Sequence, residues 1–396
     1  MSGNTLLTPS IIAKEALMIL ENNLLFGNLV HRAYKDEFVK VGSTITIPKP
    51  VQFKSYTGQT RTNQDVTENS TTFAVATQRN VSWNFNSQEL TMKVDDYSKK
   101  FIKPAVLRLC QDIDNDVAAY LTMIPKGVGT PGTNLSSSSL ATFNSALQKM
   151  DEAAVPQDER FAVLNPANYW GLNPAITALQ YQDGVKEALR RGWLGNIGGA
   201  DTFMSQNVPS QTIGSISTGT VSGASQTGSS ITLAAAGAYM TLNAGDTITL
   251  DGCYEVNPVN FQAYSYLKQF KVQTTVTIAS GGTGAVSILP AITISGAYQN
   301  ASASPTNAGA VTLTGKTQSV TSYATNCIFH RNAIGLVTMP LVMPAVPWGS
   351  SAAHDGLSIR VIKDYDITND IEIIRLDVLY GAGILYPELA CQIYGA

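Results

Sequence analysis

The clearest periodic pattern in the chain is helical and covers residues 96–124. Its apolar positions are three or four residues apart and therefore line one face of a helix: Val106, Leu109, Ile113, Val117, Tyr120 and Ile124. Asp95 and Asp96 are candidate N-caps for this helix. Pro104 cannot donate a helical hydrogen bond, so it either opens the regular helix or kinks its first turns. The pattern predicts one long amphipathic helix that lies along the rest of the fold.

The opposite side of the same helix carries Asp112, Asp114 and Asp116. Carboxylates at alternate positions also occur in calcium-binding loops. The glycine turn and the final glutamate that complete such a loop are absent here. We therefore interpret the three aspartates as a solvated helix face.

Two runs before this helix alternate with the period of a β-strand, at residues 41–50 and 71–85. Ile45 and Ile47 alternate with threonines in the first, and Val81, Trp83 and Phe85 recur at every second position in the second. A polar stretch, residues 56–70, separates them. The pattern predicts a hairpin arm whose long polar tip reaches a partner or is mobile.

Helical and strand patterns also occur together around this arm. A Thr8-Pro9 cap precedes a short amphipathic helix near the N-terminus, residues 140–150 have a second helical pattern, and residues 161–164 form a short apolar run. The first lobe is therefore predicted to be mixed α and β.

The composition changes at about residue 207. Only six charged residues occur between Asn207 and Asn326, and they are Asp246, Asp251, Glu255, Lys268, Lys271 and Lys316. Short alternating runs bounded by glycine or proline recur through this segment. They predict an all-β domain, a small barrel or sandwich, inserted into the first lobe. Residues 214–229 can alternatively be interpreted as a flexible low-complexity linker.

Strand patterns return at residues 358–361 and 371–380, and the chain ends on an apolar run. We expect this C-terminal run to complete a sheet begun far upstream, so that the two halves of the first lobe close around the insertion.

The overall composition limits the classes of partner. Charged residues make up 14% of the 396 residues, against about 25% in typical soluble domains. The net charge is -3 and the sequence pI is about 5.7. The chain therefore lacks the positive electrostatic potential that binds nucleic acid tightly. Only weak, non-specific association with DNA is expected.

No pattern of reactive residues predicts chemistry. The three histidines, His31, His330 and His354, lack a second ligand at helical spacing, and the four cysteines, Cys110, Cys253, Cys327 and Cys391, lack metal or redox spacing. Nucleophile-elbow and Walker-type motifs are absent, and the glycines at residues 281–284 are interpreted as a turn between strands. We predict a protein that is not an enzyme and has no metal, no cofactor and reduced structural thiols.

No basic segment followed by an apolar run begins the chain, and no stretch approaches 18 uninterrupted apolar residues. We expect neither export by a signal peptide nor a membrane span.

The order of these elements, together with several short strings, resembles the major capsid (coat) proteins of tailed bacteriophages with the HK97-type fold. The closer resemblance is to the P22-like coat family, which carries an extra β domain. The strings that carry it are Gly245-Asp246-Thr247-Ile248-Thr249-Leu250-Asp251-Gly252, Val256-Asn257-Pro258, Leu267-Lys268-Gln269-Phe270, Phe329-His330-Arg331-Asn332-Ala333, Arg375-Leu376-Asp377-Val378-Leu379-Tyr380-Gly381 and Pro387-Glu388-Leu389-Ala390.

The resemblance implies an α+β HK97-like capsid fold with an inserted all-β domain. The implied parts are an N-terminal arm (1–40), an extended hairpin loop (41–90), a spine helix with the peripheral domain (91–159), the axial domain in two parts (160–206 and 327–345), the inserted β-barrel-like domain (207–326) and C-terminal strands completing the core (346–396). The string residues with expected structural or assembly roles are Gly245, Asp246, Gly252, Asn257, Pro258, Arg375, Asp377, Tyr380, Pro387 and Glu388.

The resemblance also implies the function. A protein of this kind forms pentamers and hexamers of an icosahedral head around double-stranded DNA, through a scaffolded precursor shell that expands on maturation. Implied partners are further copies of the chain, a scaffolding protein, a portal protein, packaged DNA and, in some relatives, a decoration protein. The protein would be located in the virion after assembly in the cytoplasm of the bacterial host.

Two alternatives remain at this point. An encapsulin-like shell protein would share the fold, but the β insertion argues against it. A β-rich adhesin or glycan-binding module is suggested by residues 207–326 alone, where Tyr239, Tyr254 and Tyr264 could form a binding face.

Overall fold

The computed structural model describes residues 9–32, 44–59, 63, 68–86, 101–135, 140–177, 194–216, 218–315, 320–344, 348–354, 357–369 and 371–395. The chain divides into two compact units. The first consists of Met1–Lys49, Asn69–Val117 and Ile334–Leu385, and the second consists of Pro50–Glu68, Ala118–Ala333 and Tyr386–Ala396.

Helices are few and strands are many in the described residues. The α-helices are α1 Pro9–Asn23, α2 Phe26–Leu29, α3 Lys103–Ala119, α4 Leu140–Glu152 and α5 Pro166–Thr177. The strands are β1 Thr44–Pro48, β2 Ser70–Ala74, β3 Thr77–Asn86, β4 Gly127–Val128, β5 Arg160–Leu164, β6 Asn196–Ile197, β7 Ala200–Met204, β8 Ser210–Thr212, β9 Gly219–Val221, β10 Gly228–Ala235, β11 Met240–Leu242, β12 Thr247–Val256, β13 Ala263–Val272, β14 Val276–Ile278, β15 Thr283–Ile292, β16 Ala310–Leu313, β17 Ser322–His330, β18 Ile334–Met339, β19 Trp348–His354, β20 Leu357–Asp366, β21 Ile371–Ile384 and β22 Ala390–Tyr394. Within these ranges, no helix has both the length and the apolar character that crossing a membrane requires.

The first unit is organised around β21, a strand of 14 residues. It pairs with β3 along residues 371–380, with β20 along 371–377 and with β18 along 379–384, in every case antiparallel. The predicted hairpin is present in part, because β1 pairs with β2 in antiparallel register. The prediction is wrong for Val81, Trp83 and Phe85, which lie on β3 and pair with β21 instead of with β1. The ladder between β3 and β21 joins positions almost 300 residues apart. This sheet therefore forms only when these two distant segments have come together.

Helix α3 has the apolar face that its sequence period predicts. Val106, Leu109, Ile113 and Val117 are fully buried, and Pro104 is the second residue of the helix, so it opens the regular helix. A 3-10 turn, Tyr120–Met123, follows, and Tyr120 remains 36% exposed. Residues 96–100 and the candidate caps Asp95 and Asp96 lie outside the described residues.

The interpretation of Asp114 as part of a solvated face is wrong. Its side chain is 5% exposed and accepts hydrogen bonds from the backbone N–H groups of Leu25, at 2.9 Å, and Gly27, at 3.2 Å. Burial raises the pKa of this carboxyl to about 6. The three aspartates therefore have three separate partners, because Asp112 pairs with Arg108 and Asp116 pairs with Arg79.

The second unit contains a sheet with the strand order β4-β22-β17-β5-β7-β6. The C-terminal strand β22 pairs antiparallel with β17 and parallel with β4, which confirms that the apolar end of the chain completes a sheet begun upstream. Helix α4 packs through Phe143, Ala146, Leu147 and Met150 into a core shared with Ile328 and Ile393 of the sheet.

The second unit also contains a closed barrel with the strand order β10-β15-β13-β12-β16-β9. Its interior is apolar, and Ile248, Leu250, Phe270 and Val272 are among its fully buried members. Because β9 is one of its strands, the interpretation of residues 214–229 as a flexible linker is wrong. Short strand β8 pairs with the first residues of β17, and β17 then continues into the α/β sheet. The inserted all-β domain is thus a barrel.

Candidate functional site

The polar face at the start of the barrel strand β12 and the end of β13 is buried within the second unit. Ile248 and Phe270, which are cross-strand partners, face the barrel interior, so their neighbours Thr247 and Lys271, also partners, face outward. Both outward residues are nevertheless buried, Thr247 at 1% exposure and Lys271 at 0%. We call the outward residues of β12 and β13, with their partners in the second unit, the barrel seat.

Lys271 is the central residue of this seat. Its Nζ donates hydrogen bonds to the carbonyl oxygen of Gly245, at 2.8 Å, and to Oε1 of Gln392 on β22, at 2.9 Å. Gln392 in turn donates from Nε2 to the carbonyl oxygen of Leu121. Burial lowers the pKa of Lys271 to about 7, and the neighbouring Asp246 opposes that shift. One side chain therefore connects the barrel to the C-terminal strand.

Asp246 organises the turn that leads into β12. Its carboxylate is fully buried and accepts hydrogen bonds from the backbone N–H of Asn243, at 2.8 Å, the backbone N–H of Gly214, at 3.0 Å, and Nε2 of Gln211, at 3.2 Å. Burial raises the pKa of this carboxyl despite those donors. Three donors, from residues 211–214 and from the turn at Asn243, therefore converge on one acceptor.

Gly245 is required beside Asp246 for two reasons. Its φ of +87° lies in the left-handed region, and a Cβ there would lie 2.4 Å from Oε1 of Gln211. Its carbonyl oxygen is the acceptor for Lys271. The backbone of Gly245 therefore belongs to the turn before β12 and, through its carbonyl oxygen, also contacts Lys271 in the barrel seat.

Aromatic rings fill the part of the seat nearest the end of β22. Tyr323 and Tyr394 pack edge to face with ring centroids 5.0 Å apart, and the Tyr394 hydroxyl hydrogen-bonds to Oγ1 of Thr247 at 3.2 Å. A Cβ at Gly127 would lie 2.0 Å from that hydroxyl, so the site leaves no room for a side chain at this position.

A second polar group connects β13 to helix α4. Oε1 of Gln269 accepts hydrogen bonds from the backbone N–H of Gly127, at 2.8 Å, and from Nζ of Lys149, at 3.0 Å. The Tyr266 hydroxyl donates to Oε2 of Glu152 at 2.5 Å, and Lys149 also lies over the Tyr266 ring. Burial raises the pKa of the Tyr266 hydroxyl, so it remains a donor.

The few charged residues of the insertion are concentrated near these contacts. Asp246, Lys268 and Lys271 are buried, and Nζ of Lys268 lies 3.7 Å from Oε1 of the mostly buried Glu255. Asp251 is exposed. Most of the charged residues of the insertion that the structure describes are therefore removed from its surface.

The remaining predicted residues of the insertion shape β12 and the turn after it. Gly252, with a φ of +80°, lies where the register between β12 and β13 shifts. Asn257 holds the turn, accepting from the backbone N–H of Val259 at 2.8 Å and donating from Nδ2 to the Tyr264 hydroxyl at 2.9 Å. Pro258 is exposed in that turn.

Arg375, Asp377 and Tyr380 lie on β21 in the first unit and form two clusters. The buried Asp377 carboxylate accepts from Arg360, Arg375 and Gln78, at 2.7, 2.7 and 3.3 Å. The Tyr380 hydroxyl hydrogen-bonds to Asp116 of α3, which also pairs with Arg79 at 2.9 Å. These clusters fix α3 and β3 against the central strand.

Pro387 and Glu388 belong to a 3-10 turn, Pro387–Leu389, before β22. Pro387 is buried at the start of the turn, whereas Glu388 is exposed and contributes its carbonyl oxygen to Lys126 at 3.5 Å. The predicted residues thus fall into separate clusters, and only Gly245 and Asp246 belong to the seat.

Sequence reasoning missed Lys271, Gln392 and Gln211 as functional residues. The alternation of β13 places Lys271 on the polar face and could have indicated it. Its partner Gln392 is 121 positions away in the sequence, so no local signal could have identified the pair.

The His, Cys, Asp and Glu side chains in the part of the chain that the structure describes form no candidate metal site. No group of three or more His, Cys, Asp or Glu side chains in it could hold a metal ion. The four cysteines are free and buried, as predicted for structural thiols.

Comparisons with known proteins agree with this architecture. The sequence pattern of the family described as "P22 coat protein - gene protein 5" matches residues 1–395. A solved structure from Mycobacterium phage Che8 is 13% identical, with a TM-score of 0.52 over 93% of this chain and 90% of that chain. The capsid structure of the cyanophage P-SCSP1u is also 13% identical, with a TM-score of 0.51 over 94% of this chain and 88% of that one. No curated protein sequence matches the chain. The two structures confirm the predicted HK97-like α+β fold.

Proposed function

The chain belongs to the P22 coat protein family, and on that premise we propose that it builds the pentamers and hexamers of an icosahedral phage head around double-stranded DNA. The family is structural, so the protein is a major capsid protein of the virion shell and not an enzyme. Self-assembly is its activity.

One observation carries the proposal. The family match extends over residues 1–395 and therefore includes the inserted barrel as well as the surrounding α/β elements. The encapsulin-like alternative accounts for the surrounding fold but not for the insertion. A secreted adhesin or glycan-binding module accounts neither for the α/β elements nor for the match of these elements to the coat protein family.

The surface of the chain is compatible with many weak contacts between copies. Large apolar side chains are exposed outside the helices and strands, with Phe53 at 67% and Ile367 at 85% exposure. A closed lattice repeats each contact many times, so small pairwise free energies suffice for a stable shell. The net charge of -3 suits an inner wall that associates only weakly with packaged DNA.

The finer parts of the proposal follow from the family. We propose a scaffolding protein and a portal protein as partners, assembly in the host cytoplasm and a precursor shell that expands on maturation. We also assign residues 1–40 to an N-terminal arm, 41–90 to the extended loop, 91–159 to the spine and peripheral domain, 160–206 and 327–345 to the axial domain, and 346–396 to the closing strands. The insertion, 207–326, keeps the geometry of the α/β part through the barrel seat.

Electron microscopy tests this function directly. The chain is expressed alone and together with the product of the neighbouring gene, and particles are examined in negative stain. Closed, uniform shells are expected, with the second protein making them more uniform in size if it acts as a scaffold. Only monomers in both preparations would contradict the proposal.

A further inference from the structure

His330 is a buried titratable group at the end of β17, where it pairs with Arg160 at the start of β5. Its Nδ1 accepts a hydrogen bond from the backbone N–H of Asn332 at 3.2 Å, and Asn332 belongs to the 3-10 turn Arg331–Ala333 that follows β17. A neutral imidazole has one acceptor nitrogen, whereas a protonated imidazole has none. This hydrogen bond therefore exists only while His330 is neutral.

The 3-10 turn after β17 also closes the loop before β5, residues 155–159. The backbone N–H of Arg331 donates to the Glu159 carbonyl oxygen at 3.1 Å, and the Arg331 guanidinium pairs with the Glu159 carboxylate at 3.1 Å. Glu159 has a φ of +45°, a left-handed conformation that a residue with a side chain keeps only while its surroundings hold it. The turn thus keeps a strained residue of the loop in place.

Charged groups on the loop and on β5 act on the His330 ring in opposite directions. Nε2 lies 3.9 Å from Oδ1 of Asp158, and the carboxylates of Asp158 and Glu159 favour the protonated ring, whereas the Arg160 guanidinium opposes it. The Asp158 side chain is 76% exposed, so water screens its attraction, but that of Arg160 is 2% exposed. Burial lowers the pKa of His330 below its ordinary value of 6.5, and the two carboxylates do not reverse this shift.

We propose that His330 is an acid-sensitive latch, whose protonation breaks the hydrogen bond to Asn332 and opens the 3-10 turn together with the loop before β5. A charged imidazole has N–H donors at both nitrogens, so at Nδ1 a donor would face the Asn332 N–H. Opening exposes the charged ring to water and lets Glu159 leave its left-handed conformation. The open segment binds the proton more tightly than the closed one, so acid favours opening.

The response of the second unit to mild acid should be concentrated at this latch. His330 is the one histidine of that unit, since His31 and His354 belong to the first. Histidine is the side chain whose ordinary pKa lies between pH 5 and 8. Lys271, with a pKa of about 7, is mostly protonated in the folded and the unfolded chain below that pH, so it adds little slope there. The latch belongs to one subunit and does not depend on shell assembly.

Amide hydrogen exchange of the free, full-length chain tests the latch. Exchange is compared at about pH 6.8 and about pH 5.0, after correction for the intrinsic exchange rate at each pH. The protection of the Arg331 and Asn332 amides is expected to fall by between about threefold and twentyfold at the lower pH. The upper figure applies when the closed turn binds no proton and the open turn has the ordinary histidine pKa. Amides of β12 are expected to keep their protection.

Two variants are expected to act in opposite directions. His330→Asn places an oxygen acceptor at the position of Nδ1 that acid does not remove, so it should abolish the loss of protection. Asp158→Asn removes a carboxylate that favours the charged ring in the closed turn, so it should enlarge the loss. Because the Asp158 side chain is mostly exposed, this variant is expected to fold. His354→Asn, at an exposed position of β19, is the control and should match wild type.

Each outcome decides the inference. Unchanged protection of residues 331–332 on acidification, or an equal loss in wild type and His330→Asn, would overturn the latch. If His330→Asn does not fold, Asp158→Asn decides, because a loss equal to or smaller than that of wild type would also overturn it. All of these results come from free subunits, so they leave the capsid function to be tested separately by electron microscopy.

Discussion

Nζ of Lys271 on the barrel strand β13 donates a hydrogen bond to Oε1 of Gln392 on the C-terminal strand β22 at 2.9 Å, across 121 positions of sequence. The lysine is fully buried and has a second acceptor in the Gly245 carbonyl oxygen. The inserted barrel is therefore attached to the α/β sheet by a group whose charge is expensive to bury.

The stability of the second unit should rise with pH because of Lys271. Its pKa is about 7 in the folded chain and 10.5 when unperturbed, so between these values the unfolded chain binds the proton more tightly. Stability should therefore increase from about pH 7 to pH 10.5, by on the order of 1 kcal/mol per pH unit. Urea unfolding at a series of pH values measures this slope.

Lys271→Met keeps most of the side-chain length and removes the titrating group, so it should flatten the slope in that window. Lys103→Met, at an exposed position of α3, is the matched control and should leave the slope unchanged. Equal slopes in wild type and Lys271→Met would contradict the assignment.

Asp246→Ala should destabilise the barrel strongly. It leaves the backbone N–H groups of Asn243 and Gly214 without their acceptor in a buried place, and Gln211 loses one of its acceptors. Roughly 2–4 kcal/mol of unfolding free energy should be lost, since each unsatisfied buried donor costs about 1–3 kcal/mol. Urea unfolding measures the loss, and Asp251→Ala, at an exposed position of the strand β12 that follows Asp246, should change stability by less than about 0.5 kcal/mol. Similar losses for both variants would rule out the three-donor role.

Asp114→Ala should loosen the segment that contains helix α2. Two buried backbone N–H groups, those of Leu25 and Gly27, then lose their acceptor on α3. Amide hydrogen exchange at residues 24–29 should become faster by about tenfold or more, corresponding to a loss of about 1.4 kcal/mol or more in local stability.

Asp112→Ala is the control for this change, because Asp112 lies on the same helix and pairs with Arg108 in a partly exposed ion pair. Its exchange rates at residues 24–29 should match wild type. Unchanged protection in Asp114→Ala would show that packing alone holds the segment.

Gly381→Ala should prevent the central strand β21 from pairing normally. A Cβ at this position would lie 2.2 Å from the backbone carbonyl oxygen of Ala74, which cannot move without displacing β2. A loss of about 3 kcal/mol or more is expected, or failure to fold, as for other severe overpacking. Soluble yield and thermal unfolding measure it.

Gly383→Ala provides the comparison on the same strand. Its Cβ would lie 3.2 Å from the Phe73 ring, a side chain that can shift by a few tenths of an ångström. About 1 kcal/mol or less should be lost. If Gly383→Ala proved as damaging as Gly381→Ala, the cause would be the loss of a glycine from β21 in general and not the contact with the carbonyl oxygen of Ala74.

Local sequence patterns predicted the structure correctly where the burial of a side chain depends only on its position within its own helix or strand. The period of α3 predicted its buried face from Val106 to Val117, and the alternation of residues 247–250 predicted a strand with one apolar side, which is the start of β12. The composition break near residue 207 indicated the insertion before any contact was known. These signals depend only on which side chains avoid water within a few residues of each other.

Local patterns failed where a polar residue has a distant partner. Asp114 has the same local spacing as Asp112 and Asp116, yet it is buried because the N–H groups of Leu25 and Gly27 satisfy it. Lys271 looks like a solvated lysine on the polar side of a strand until β22 covers it.

The sequence by itself determined the helical and strand periods, the low charge, the insertion and the resemblance to a coat protein family. Only the tertiary structure decided that Thr247 on β12 and Lys271 on β13 are buried in a seat, and that Asp246 and Gln392 belong to it. The physical reason is that a buried polar group is stable only with its partners in place, and those partners come from segments that meet only after the chain has folded.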